Sequence, residues 1–188
     1  MNINQSVGHG VITSIEAALQ AQINLGARFS RRIEVECRDS EGRLKWVDYI
    51  DNLVVNEGLD DILSKYYKGS AYTAAHYVGL TDGTPTVAAG DTMSSHAGWT
   101  EVTAYSESVR QDFTPGTVSS QSVDNSSNKA GYSINGSATV GGVFLTTDDT
   151  KSGTTGTLVG AGAFSGGDKS LSSGDTLNVT VTATAAAS

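Results

Sequence analysis

Apolar residues near the N-terminus recur with the period of a helix. They stand three or four residues apart, on one predicted helix face: Ile12, Ile15, Leu19 and Ile23. Thr13 and Glu16 have the spacing of a capping box, and Gly26 suits a helix end. A helix this short is marginal in water, so we expect it to dock on its own domain, a sister subunit or a larger partner.

A second helical pattern covers residues 56–68. Asn56 suits the N-cap, and Gly69 follows the last helical position. The predicted apolar face contains four residues: Leu59, Ile62, Leu63 and Tyr66. We expect Tyr66 and Tyr67 to pack beneath the sheets rather than to bind sugars, because aromatic residues make up only 7% of the chain.

Most other apolar positions indicate strands, either by alternating with polar residues or by forming short runs between turn residues. The predicted strands are 33–37, 44–50, 76–80, 99–107, 108–113, 129–134, 137–147, 155–165 and 175–185. Beyond residue 70 no helical pattern separates the strands, which argues against a parallel α/β sheet. Glycines inside three of these patterns predict bulges or close backbone approach: Gly142, Gly160 and Gly162.

These patterns predict a mainly β protein, with an antiparallel β-sandwich or jelly roll, an N-terminal arm and two short helices. Residues 1–30 would form the arm with its short helix. Residues 31–188 would form the β-sandwich domain, including the helix at 56–68.

Composition narrows the classes of partner. The formal net charge is −8 and the isoelectric point is about 4.7, which argues against binding to a nucleic-acid backbone or an anionic membrane surface. No apolar run reaches the roughly 18 residues of a spanning helix, and we expect no secretory signal. Cys37 is the only cysteine, so an intrachain disulfide is impossible and assembly in a reducing cytoplasm is consistent with the sequence.

The stretch GDTMSSHAGWTE, residues 90–101, holds the residue types of an active site. His96 lies between two acidic residues in sequence and next to serines, but a catalytic triad is a spatial arrangement and no nucleophile elbow accompanies it. We interpret the stretch as a long connection in which Asp91 caps a turn and Trp99 acts as an apolar plug. A hydrolase that uses His96 is kept as an alternative.

No metal or cofactor site is predicted. The three histidines, His9, His76 and His96, are far apart in sequence, and the Asp-rich loops lack the pattern of a calcium-binding loop. An incidental cation at Asp148 and Asp149 stays open.

An ordered set of motifs is more specific than composition. The set comprises YVGLTDG (77–83), GDTMSSHAGWTE (90–101), TKSGTTGTL (150–158) and GDTLNVTV (174–181). Over roughly residues 52–182 the chain resembles a family of virion structural proteins of tailed bacteriophages. The resemblance implies a capsid decoration (cement) or fibre-like protein, and it supplies no catalytic residues.

With that resemblance, we expect a non-enzymatic capsid decoration protein that reinforces the head by bridging capsomers. Its expected partners are the major capsid protein and sister copies in a homotrimer, with no nucleic acid and no membrane, in a virion assembled in the host cytoplasm. The alternative is a tail or neck fibre component that binds a receptor or glycan. The candidate partner-binding residues are Ile15, Leu19, Ile23, Arg28, Arg31 and Arg32.

Overall fold

The computed structural model of the protein describes residues 27–70 and 75–187. The predicted helix near the N-terminus therefore lies outside the described residues. The chain divides into two compact units, residues 30–184 and residues 1–29 with 185–188. The architecture below is that of the unit formed by residues 30–184.

Within the described residues the structure has eleven strands and one helix. In chain order they are β1 (Ala27–Arg38), β2 (Leu44–Asn52), α1 (Asn56–Tyr67), β3 (His76–Thr81), β4 (Gln111–Phe113), β5 (Ser122–Asp124), β6 (Ala130–Ser133), β7 (Ala138–Val140), β8 (Gly142–Thr146), β9 (Leu158–Ala163), β10 (Lys169–Leu171) and β11 (Thr176–Ala187). The structure is 45% strand, which confirms the mainly β prediction.

The sheets formed by the described residues are antiparallel. The first sheet has the order β2-β1-β11-β5, and β6 also pairs with β11. The second sheet has the order β4-β3-β8-β9, and β7 pairs with β10 in a separate ribbon. An isolated bridge from Leu53 to Ala161 joins the chain just after β2 to β9.

Residues of both sheets form one buried cluster. Alternation along β1 buries Ile33, Val35 and Cys37, as the period of two predicts. The second sheet contributes residues such as Leu80 and Leu145 to the same cluster. A smaller second cluster consists of Val55, Met93, Trp99, Phe144, Leu158 and Ala161.

Helix α1 rests on β9 through a glycine. A Cβ atom on Gly58 would lie 2.3 Å from the carbonyl oxygen of Val159, so only glycine allows this approach. The Leu158 N–H donates a 2.7 Å hydrogen bond to Glu57, which fixes the first turn of the helix. The N-cap prediction for Asn56 is wrong: the cap residue is Val55, and no side chain caps the helix.

Several strand predictions need correction. Residues 99–107 form only isolated bridges, at Glu101 and Tyr105, and the predicted strand 137–147 is broken at Gly141 into β7 and β8. The pattern also missed the short strand β5. The described ranges contain one helix, α1, and it is not long and apolar enough to cross a membrane.

Candidate partner-binding surface

The outer face of α1 is apolar and lies in solvent. Leu59 and Leu63 are exposed, and the Tyr66 and Tyr67 side chains are 81% and 77% exposed. The two tyrosine rings meet edge to face with centroids 5.0 Å apart. The expectation that both tyrosines pack beneath the sheets is therefore wrong, because α1 seats on β9 through Gly58 and turns these side chains outward. We call Leu59, Leu63, Tyr66 and Tyr67 the α1 apolar face.

A cavity of about 400 Å³ opens beside this face. Its walls come from α1, β1, β3 and β9, and its lining residues are Arg31, Asp61, Ile62, Lys65, Tyr66, His76 and Val159. We call it the Arg31 cavity. Tyr66 belongs both to the cavity wall and to the α1 apolar face, so the two features form one continuous surface.

Arg31 has few partners for a half-buried cation. Within the described part of the chain its guanidinium donates one long hydrogen bond, from Nη1 to the Val159 carbonyl oxygen at 3.4 Å, and forms no ion pair. Loss of hydration lowers the pKa of Arg31. In β2, Asn52 lies directly opposite Arg31, and its amide nitrogen and oxygen are also buried without hydrogen-bond partners. The Asn52 amide is therefore an unsatisfied buried polar group next to Arg31.

Asp61, Lys65 and His76 line the same cavity as Arg31 and set its charge. Lys65 forms a 3.0 Å ion pair with Asp61 one helical turn earlier. Burial, and then repulsion from Arg31 and Lys65, lowers the pKa of His76 below its usual value. His76 therefore favours its neutral form near pH 7, and the lining carries two cations against one carboxylate.

The structure separates the predicted partner-binding residues. Arg31 and Arg32 are consecutive in β1, so their side chains project to opposite sides of the sheet. Arg32 is exposed, and its guanidinium carbon lies 4.7 Å from the centre of the Tyr49 ring. The remaining four candidates cannot be placed on this surface. Ile15, Leu19 and Ile23 lie outside the described residues, and the side chain of Arg28 is not described.

No signal in the sequence joins the residues of the Arg31 cavity. Arg31 was a candidate because of nearby arginines, whereas Asp61, Lys65 and His76 were not. Residues this far apart meet because α1 seats on β9, and that contact depends on a glycine rather than on a motif.

The stretch around His96 forms a second, smaller cavity of about 260 Å³ with side chains of Glu101, Arg110 and Ser152 in its lining. The His96 ring stacks on Trp99 with centroids 3.7 Å apart, and burial lowers the pKa of His96. His96 makes no hydrogen bond to Glu101 or Ser152 among the described contacts, and its Nδ1 is buried without a partner. The cavity thus holds the residue types of a triad without the hydrogen bonds that relay a proton.

Both structural interpretations of this stretch are confirmed. Asp91 accepts a 2.9 Å hydrogen bond from the Ala88 N–H, and Trp99 is buried in the second apolar cluster.

The Asp148 carboxylate, a candidate for an incidental cation, accepts hydrogen bonds from Thr150 and Thr155. Over the residues described, no group of three or more His, Cys, Asp or Glu side chains is placed to hold a metal ion.

Glu101 and Arg110 form a buried ion pair beside the His96 cavity. Both carboxylate oxygens accept from the guanidinium, at 3.0 Å from Nε and 2.8 Å from Nη2. Arg110 also donates to the carbonyl oxygens of Asp148 and Gly153, and the Ser152 N–H donates to Glu101. This pair therefore fastens the 99–110 segment to the 148–153 loop.

No protein-family model matches the chain, and no curated protein matches it.

Proposed function

We propose that this chain is a virion structural protein of a tailed bacteriophage, most specifically a capsid decoration protein. In this proposal the two sheets form a β-sandwich of the jelly-roll type. The protein binds the major capsid protein, associates as a homotrimer and reinforces the head by bridging capsomers in a virion assembled in the host cytoplasm. The motif resemblance of residues 52–182 supports this family.

The α1 apolar face is the observation that carries the proposal. Two neighbouring tyrosines exposed by more than three quarters, with Leu59 and Leu63 beside them, are costly to leave in water. Tyrosine is among the residues that contribute most to protein–protein affinity when a partner covers it. A surface of this kind on an antiparallel scaffold suits docking to a protein lattice, where many copies make modest contacts effective through avidity.

A double variant, Tyr66→Ser with Tyr67→Ser, tests the proposal. The two rings offer roughly 300 Å² of surface, and covering half of it corresponds to about 4 kcal/mol. We expect the variant to bind particles stripped of the protein at least tenfold more weakly than the unmodified chain, measured by co-sedimentation and gel densitometry.

Val118→Ser is the matched control, because Val118 is an apolar side chain that is 70% exposed and lies outside α1. It should leave particle binding unchanged. Full binding by the tyrosine double variant would contradict the assignment of the α1 apolar face as the interface.

A tail or neck fibre component that binds a receptor or glycan is the second candidate. The exposed edge-to-face pair of Tyr66 and Tyr67 favours it, because sugars stack on exposed aromatic rings. Copy number separates the two functions: densitometry of purified particles should give hundreds of copies for a decoration protein and about a dozen or fewer for a fibre component.

A further inference from the structure

The Arg31 guanidinium differs from the fully buried charges of the described chain in having no ion-pair partner there. The buried Asp48, Arg110 and Asp175 side chains each form an ion pair, with Lys169, Glu101 and Lys45 respectively. Arg31 is half-buried, and the residues described around it supply one carbonyl acceptor and no carboxylate at ion-pair distance. A cation that has lost hydration without gaining a counter-charge lowers stability, and a ligand that supplies the charge recovers it.

The geometry of the Arg31 cavity restricts the ligand. A volume of about 400 Å³ is at the lower end of the range for small-molecule sites and accommodates an amino-acid side chain easily. Ile62 and Val159 supply apolar wall, whereas Arg31 and Lys65 supply positive charge. Asp61 already neutralises Lys65, so the excess is close to one positive charge, which suits a monoanion better than a dianion.

We propose that the Arg31 cavity binds a carboxylate group. The guanidinium would donate two parallel hydrogen bonds to the two carboxylate oxygens, the geometry that arginine forms most favourably. The carbon chain that carries the carboxylate would pack on Ile62 and Val159, and the Tyr66 ring would cover it.

The source of the carboxylate is a partner polypeptide. Tyr66 makes the cavity continuous with the α1 apolar face, so a chain covering that face can place an acidic side chain or its own terminal carboxylate against Arg31. This identification of the source rests on the proposed function. The carboxylate site itself does not, and it is measured on the isolated protein without particles.

The test is a titration of the full-length, ¹⁵N-labelled protein followed by NMR. The probes are N-acetylglutamate α-amide, which presents a side-chain carboxylate, and N-acetylleucine, which presents a terminal one. N-acetylglutamine α-amide is the neutral match. We expect saturable shifts at cavity residues with one or both carboxylates, with a dissociation constant on the order of 1 mM, and none with the neutral amide.

Two neighbouring arginines provide a matched pair of variants. Arg31→Gln should weaken binding at least tenfold, whereas Arg32→Gln should leave it unchanged, because Arg32 projects from the opposite side of β1. Arg31→Lys, which keeps the charge but loses the bidentate fork, should give an intermediate constant and guards against misfolding of the glutamine variant.

Three outcomes would overturn the proposal: no saturable shift with either carboxylate, equal binding of the neutral amide, or equal binding by Arg31→Gln and the unmodified chain. The probe that binds more tightly identifies the source as a side chain or a chain terminus. If carboxylates bind while the tyrosine double variant still decorates particles fully, the capsid interface fails and the carboxylate site stands.

Discussion

Replacing Glu101 with Gln distinguishes a structural role of the 90–110 region from a catalytic one. The substitution keeps the shape of the side chain but removes its charge and turns one acceptor into a donor. In either orientation of the glutamine amide, its NH₂ group would face an N–H donor of Arg110, at Nε or at Nη2, where a hydrogen bond cannot form. The hydrogen bonds from the Ser152 N–H and the Tyr105 hydroxyl would also weaken.

The expected loss of stability follows from the burial of the pair. Arg110 is 1% exposed and the Glu101 side chain 6%, so Glu101→Gln leaves a guanidinium without a counter-charge away from water. Breaking a buried ion pair by removing one partner costs about 3–5 kcal/mol. For a chain of 188 residues each kcal/mol lowers Tm by roughly 2–4 °C, so we expect a decrease of about 10 °C.

Urea unfolding and scanning calorimetry measure this loss, and Glu36→Gln is the matched control. Glu36 also pairs with an arginine, Arg38, at 2.7 Å, but that guanidinium is 41% exposed. Glu36→Gln should lower the free energy of unfolding by less than about 1 kcal/mol, because solvent screens an exposed ion pair. If Glu101→Gln is neutral or stabilising, our structural interpretation is refuted. Residues maintained for chemistry often reduce stability, so that result would favour the His96 hydrolase alternative.

Two other substitutions test the scaffold. Burial raises the pKa of Asp48, but hydrogen bonds from Lys169, Ser165 and backbone N–H groups outweigh it and lower the pKa from 3.8 to about 2. The ionised Asp48 carboxylate therefore stabilises the fold by about 1–2 kcal/mol after allowance for solvent screening. This contribution is complete above about pH 4 and is lost as the pH falls to about 2. Asp48→Asn should lose this amount at pH 7 and flatten acid unfolding curves in that window; an unchanged acid profile would contradict the argument. In a solvent-exposed helix, replacing glycine with alanine stabilises by up to about 1 kcal/mol. Gly58→Ala should instead destabilise the protein by about 1–3 kcal/mol, because the new Cβ meets Val159. A rise in the urea midpoint would show that α1 does not pack on β9 as described.

Local patterns predicted the elements whose burial is regular. Alternation located β1 and β2, and the helical period together with Gly69 located α1 to within one residue of 56–68. The interpretation of strand glycines also holds: Cβ atoms on Gly160 and Gly162 would lie within 2.6 Å and 2.3 Å of Leu53 and Ile50, where the end of β2 crosses β9. Alternation and the helical period are short-range constraints, whereas the two glycines mark a close approach whose partner the sequence pattern does not identify.

The errors occur where tertiary contacts override the local pattern. Residues 99–107 resemble a strand, but their buried side chains are Trp99, Val102 and Tyr105, which stand three residues apart rather than two. A segment with that spacing cannot pair as a regular strand with one face inward. Its two bridges, to Thr81 and Ile134, and the hydrogen bond from the Ser152 N–H to Glu101 join it to distant parts of the chain, and no local signal in the sequence encodes those contacts.

The orientation of α1 shows how one contact changes the functional interpretation. Its apolar residues predict a helix whose hydrophobic face is buried in its own domain. Leu59, Leu63 and Tyr66 of that face instead point outward because the helix contacts β9 through Gly58, a residue that hydrophobicity patterns do not weigh. A helix that buries a glycine and exposes two tyrosines buries little apolar surface against the described residues of its own fold. The under-paired Arg31 lies beside that same face, and a single bound polypeptide would satisfy both deficits at once.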